Sequence, residues 1–221
     1  MARSENIDFL IALELSYYIY MNSVLYILCI QMIIVVARYN EDIEWTKQFH
    51  NVIIINKGQK LEDGYNEFFL NNVGREGHSY YKYVCDNYDN LEDYTIFLQG
   101  RPFDHSPNII SNLNNYINNP TLKEEFFEYI SEQIHNSNLN LECEKYWQCK
   151  NIHTNWKRVF GVKCEGENQC IFGAGAQFIV SKKNILKNKK EFYENIVKML
   201  EYSVDPLEGY DIERFHKYIF S

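Results

Sequence analysis

Three short apolar runs, each ending abruptly in polar residues, constrain this chain more than any other feature. IIVVAR at 33–38 breaks into YNED, VIIIN at 52–56 is stopped by Lys57-Gly58, and TIFLQG at 95–100 breaks into RPFDHS. The runs are rich in β-branched residues and too short for helices. Their apolar residues are consecutive rather than alternating, so each strand needs cover on both faces. With the short helical stretch IEWTKQF between the first two, they predict an α/β class fold: a single mixed, mostly parallel sheet flanked by helices. Pro102 cannot continue a ladder, so the chain leaves the sheet there. The polar residues that follow the strands fall at carboxyl ends, where open α/β sheets bind ligands.

The 221 residues suffice for one substantial core. A single α/β domain is expected over 33–221, preceded by an apolar helical segment at 1–32. The most apolar stretch, 9–36, is interrupted by Glu14, Ser16, Asn22, Ser23 and Gln31. It therefore reads as a buried or interface helix rather than a span, with weak membrane association left open. No small-residue cleavage site of a signal peptide is visible. Helices are expected at about 79–88, around 121–135 after Pro120, at 182–202 as one long amphipathic element, and from near Asp211 to the end. GAGAQFIVS reads as a Gly-rich turn entering a strand.

The region 143–170 has weak periodicity and reads as an excursion of loops or small strands. It carries Cys143, Cys149, Cys164 and Cys170, while Cys29 and Cys85 read as buried thiols. Disulfides stapling the excursion and free thiols of a reducing compartment both fit. The Cys-x5-Cys spacings are not the tight Cys-x2-Cys of zinc ribbons. A formal net charge of −8 without a basic patch argues against a nucleic-acid partner. A small anionic ligand needs only one or two Arg and a few backbone N–H groups.

Four constellations could carry chemistry. In Arg38-Tyr39-Asn40-Glu41-Asp42, Arg38 offers a fork for phosphate or carboxylate; Asn40 and Glu41 could hydrogen-bond a base or sugar, or cap the next helix. In NVGREGH at 72–78, Gly74 and Gly77 flank Arg75 ahead of a helix, a plausible anion site that lacks the Gly-Lys-Ser/Thr of a P-loop. In QGRPFDH at 99–105, Asp104 and His105 offer oxygen and nitrogen ligands to a divalent ion, with His216 a distant third; a hydrogen-bonded turn is the plainer alternative. Near the C-terminus, Asp211 or Glu213 could act as a general base, or Glu213 and Arg214 could form structural ion pairs. No nucleophile elbow, HExxH or dinucleotide fingerprint occurs.

The segments VVARYNEDIEW, INKG, NNVGREGHSYYKYV, TIFLQGRPFDH, GAGAQFIVSKKNI, KEFYENIVKML and GYDIERFHKYIF together closely resemble the domain of unknown function 3431 family of fungi and large DNA viruses, from about residue 33 to the C-terminus. More distantly, their arrangement resembles compact nucleotide-sugar glycosyltransferases of the A-type fold. That resemblance implies a transferase moving a sugar from a nucleotide sugar to a glycan or small-molecule acceptor. It implies nucleotide binding by Arg38, Asn40, Arg75 and Gln99. Mn²⁺ or Mg²⁺ would be held by Asp104, His105 and His216, and Glu213 or Asp211 would activate the acceptor. TIFLQGRPFDH stands where an Asp-x-Asp motif is expected, but Gln99-Gly100-Arg101 replaces its acids, leaving metal dependence open. A non-catalytic sugar- or protein-binding module and a metal-dependent hydrolase are the alternatives. A viral member would work in the host cytoplasm or the virion.

Overall fold

The computed structural model describes residues 31–62, 64–118, 122–165 and 167–221. The expected N-terminal helix at 1–32 and Cys29 lie outside the described residues, apart from the last two positions of that segment. The three apolar runs form β1 (Met32–Arg38), β2 (Val52–Asn56) and β4 (Tyr94–Gln99), and Glu67–Phe69 adds the edge strand β3. These four are mutually parallel. β8 (Phe178–Ser181) runs antiparallel beside β4, and β5 (Phe127–Tyr129) antiparallel beside β8. The order is β3-β2-β1-β4-β8-β5, a mixed, mostly parallel sheet.

Both faces are covered, as the consecutive apolar residues require. Ile33, Val35 and Ala37 of β1 join one core with Phe97, Phe178, Tyr80, Val84, Ile196 and Phe215. That side is built by α1 (Arg75–Asn87), α6 (Lys190–Leu200) and α7 (Glu208–Ile219). Ile34 and Val36 point the other way, to Ile43, Phe49, Ile109 and Leu113. Here the cover comes from a 3-10 turn at Glu44–Gln48 and α2 (Ile109–Ile117).

Four expectations are corrected. The sheet is not single: β6 (Ile134–Asn138) and β7 (Gln169–Gly173) form a separate antiparallel pair. β6 carries polar, largely exposed residues, and so cannot sit inside the main sheet. The helix expected around 121–135 is absent among the described residues of that stretch, which hold β5 and the start of β6. Phe127 and Tyr129 pair with Val180 and Phe178 of β8, so tertiary pairing overrides local propensity. The long helix expected at 182–202 is two helices, α5 (Lys182–Ile185) and α6. At the break, Asn184 and Asn188 donate side-chain N–H groups to the carbonyls of Phe220 and Ile219, capping the end of α7.

The excursion is more helical than expected. α3 (Leu139–Lys145) starts where the Asn138 side chain accepts from Leu141 N at 2.9 Å. α4 (Ile152–Phe160) ends at Gly161, whose φ of 73° supplies the left-handed turn. The five described cysteines are free thiols. Burial pushes the Cys170 thiol up to about 12 and raises Cys149 further, which leaves both chemically quiet. No helix among the described residues is long and apolar enough to cross a membrane.

Candidate functional site

From β1 the chain crosses to β2 and β3, then returns through α1 to β4 on the other side of β1. Connections leaving β1 and β4 in opposite directions open a crevice at their carboxyl ends. A cleft of about 520 Å³ occupies it, lined by Arg38, Lys57, Arg75, Glu76, Gln99 and Arg101 among others.

Its inner cations are held by neutral partners. Arg38 and Asn56 are register partners at the ends of β1 and β2. Arg38 donates to Asn56 Oδ1 at 2.9 Å and to the carbonyls of Tyr39, Glu41 and Gln59 at 3.2, 2.9 and 2.9 Å. Lys57 donates its ammonium to the carbonyls of Val73 and Arg75. Burial lowers Lys57 to about 8, against the opposing pull of Glu76, so the ammonium stays largely charged at neutral pH. Both groups are positioned by neutral hydrogen-bond acceptors, with the carboxylates of Glu41 and Glu76 also lining the cleft. Asn40 lies outside the cleft lining and clamps the loop beneath it, accepting from Gln59 N at 2.9 Å. That loop requires Gly58, where a Cβ would lie 1.5 Å from Tyr39 O.

Arg75 begins α1 four residues ahead of the expected start. Its φ of 51° follows Gly74 at 68°, and the turn is pinned to the 203–204 segment by Gly74 N to Ser203 O at 2.8 Å. The guanidinium lies 4.0 Å over the Tyr210 ring, and among the described residues its ion pairs are long, 3.7 Å to Glu76 and 3.5 Å to Asp205. At the rim, Arg101 meets Asp104 at 3.3 Å, both side chains well exposed. His105 Nδ1 lies 3.0 Å from Gln133 Oε1, and Gln133 donates to Asp104 O at 3.0 Å. The turn is thus braced by Gln133 rather than by an Asp–His bond.

Glu213 is half-buried and outside the cleft lining, accepting from Gly175 N at 2.8 Å and acting electrostatically on Arg75. Burial, and then the neighbouring Glu76, raise its carboxyl above the usual range; Arg214 and Arg75 oppose the shift. The GAGAQ turn that supplies the Gly175 N–H is tucked against His105, whose Cδ2 lies 2.6 Å from where a Gly175 Cβ would be.

Two more predicted residues, besides Asn40, His105 and Glu213, lie outside the cleft lining and are fully buried. His216 is 1% exposed, in the aromatic core. Its Nδ1 lies 2.7 Å from Tyr81 Oη, and its ring centre is 4.6 Å from that of Phe178. Burial pushes it down to about 3. The ligand set Asp104, His105 and His216 is therefore not assembled, and among the described residues no group of three or more His, Cys, Asp or Glu is placed to hold a metal ion. Asp211 is wholly buried on another side of α7, since two residues turn a helix by about 200°. It accepts from Asn155 Nδ2 at 2.7 Å and ties α7 to the excursion; burial raises it to about 6.

Lys57, Glu76 and Ser79 also line the cleft, and sequence reasoning assigned none of them to a site. For Lys57 a signal existed: Asn-Lys-Gly ends β2 just as Arg-Tyr-Asn ends β1. For Ser79, on the second turn of a helix, there was none.

No curated protein and no solved structure matched the chain. The family model described as protein of unknown function (DUF3431) matches residues 33–221, which takes in the sheet from Ile33 onward and the cleft. The chain belongs to this family.

Proposed function

We propose that the cleft binds a nucleoside-diphosphate sugar and that the protein is a glycosyltransferase acting on a glycan or small-molecule hydroxyl. One observation carries the reading: Arg38 and Lys57, anchored by neutral acceptors, leave positive charge inside a crevice at the β1/β4 switch point. The Arg101–Asp104 pair and Asp205, the loose partner of Arg75, lie at the exposed rim. Glu41 and Glu76 also line the cleft; the reading of a diphosphate rests on Arg38 and Lys57 being hydrogen-bonded to neutral acceptors rather than ion-paired with them, and the volume is within the usual range for a ligand of this size.

In the reaction an acceptor hydroxyl oxygen bonds to the anomeric carbon as the carbon–oxygen bond to the diphosphate breaks. The electron pair leaves on the diphosphate, whose growing charge Arg38, Lys57 and Arg75 stabilise. Glu213 takes the hydroxyl proton. Its raised affinity for protons brings it nearer to the working pH of a general base. Because Asp104, His105 and His216 do not form one ligand set, no step is assigned to a metal ion.

Calorimetric titration with nucleoside diphosphates and their sugars, with and without Mn²⁺, tests the reading. Saturable binding that is lost on Arg75→Ala is expected. No binding of any nucleotide to folded protein would overturn it, and binding without turnover would leave a sugar-binding module.

A further inference from the structure

The floor of the cleft carries polar groups that the diphosphate does not use. Ser79 lines the cleft with none of its surface exposed, and among the described residues its Oγ has no hydrogen-bond partner. The next residue, Tyr80, is 1% exposed, and its hydroxyl is also unpartnered. Glu76 and Ser79, three residues apart on one face of α1, both line the cleft, while Glu213 lies outside that lining and acts electrostatically on Glu76 and on the Tyr80 hydroxyl. A buried hydroxyl without a partner is unfavourable in the free protein, and is most simply explained by a ligand group that completes it.

We infer that this floor holds the transferred sugar, and that Ser79, Glu76 and Glu213 select an uncharged, hydroxyl-bearing ring over a hexuronate. The inference rests on the glycosyltransferase reading and names its donor class. The chemistry is complementary. Carboxylates only accept hydrogen bonds, and sugar hydroxyls supply the donors; the Ser79 hydroxyl can donate to a ring or hydroxyl oxygen in return. A carboxylate on the sugar would instead face Glu76 and Glu213 in a confined site, a repulsive element of the kind that sets specificity. Arg75, which pairs at 3.7 Å with Glu76 and 3.5 Å with Asp205, is taken up by the diphosphate in this reading and so does not offset that repulsion.

Calorimetry separates this inference from the reading beneath it. UDP and GDP are titrated first, then UDP-glucose against UDP-glucuronate and GDP-mannose against GDP-mannuronate. With the base that binds, the neutral sugar is expected to bind more tightly than the bare diphosphate, and the hexuronate at least about tenfold more weakly than the neutral sugar. Ser79→Ala should remove most of the gain from the neutral sugar while leaving diphosphate affinity within about twofold and the melting temperature unchanged or higher, because it deletes an unpartnered hydroxyl. Glu76→Gln should narrow the discrimination against the hexuronate. Diphosphate binding with equal or tighter hexuronate affinity overturns the donor inference and leaves the transferase reading standing. Failure of every diphosphate to bind overturns both.

Discussion

Replacing Glu142 by leucine tests how the excursion is fastened to the sheet domain. Glu142 of α3 and Arg214 of α7 form an ion pair whose side chains are only 4% and 6% exposed. Arg214 also donates to Tyr210 O at 2.8 Å, and its guanidinium lies 4.5 Å over the Phe172 ring. Removing the acid leaves a guanidinium in the core with one carbonyl and the rings of Phe172 and Tyr146 as compensation. Breaking a buried pair in this way costs about 3–5 kcal/mol. For a chain of this size each kcal/mol lowers the melting temperature by about 2–4 °C, so Glu142→Leu should melt roughly 6–20 °C below wild type. The isolated burial penalty, rather than the pair's net worth, sets that figure. The double variant Glu142→Leu/Arg214→Met should therefore recover to within about 1 kcal/mol of wild type. Urea titration of the four proteins, followed by circular dichroism, closes the cycle. A single variant within about 1 kcal/mol of wild type would show that water reaches Arg214 and refute the reasoning. So would a double variant as unstable as the single one.

Other outcomes follow from the same geometry. Asp211 is raised by burial from 3.8 to about 6, so its contribution to stability is full below about pH 4 and is lost as pH rises through about 6, a change of about 3 kcal/mol. Asp211→Asn should flatten the stability profile across that window in urea titrations, and an unchanged slope would count against it. His216 runs the opposite way: lowered from 6.5 to about 3, it supports the fold above pH 6.5 and withdraws that support as pH falls toward 3. His216→Phe should shift the acid-unfolding midpoint, read by tryptophan fluorescence, to lower pH despite orphaning the Tyr81 hydroxyl; a midpoint at higher pH would contradict it. On the transferase reading, Glu213→Gln should lower turnover by about 10²–10⁴-fold with diphosphate affinity retained in calorimetry, and undiminished turnover would remove Glu213 from the base role.

The sequence alone determined the strands that frame the cleft. β1, β2 and β4 were legible because strands covered on both faces must be apolar at consecutive positions, and the polar residues that stop them must lie at their ends. Arg38, Gln99 and Arg101 could therefore be placed at one edge before any coordinates, and Arg75 beside a helix start. β5 and β6 were not legible, because FFEYISEQI suits a helix as well as a strand, and pairing with β8 and β7 decides between them. His216 shows a signal that was present but went unused. With Ile212, Phe215 and Ile219 it falls at helical spacing on the buried face of α7, which assigns it to the core rather than to a ligand set. Asp211 and Glu213 look equivalent in sequence, yet the turn of the helix sends one to Asn155 of the excursion and the other to the Gly175 turn. Glu76 and Ser79 share one face of α1 by local helix spacing, but only the tertiary structure could bring α7, with Glu213, up to α1. The two helices are separated by more than a hundred residues, and local sequence does not encode the distance at which a crossover returns to its sheet.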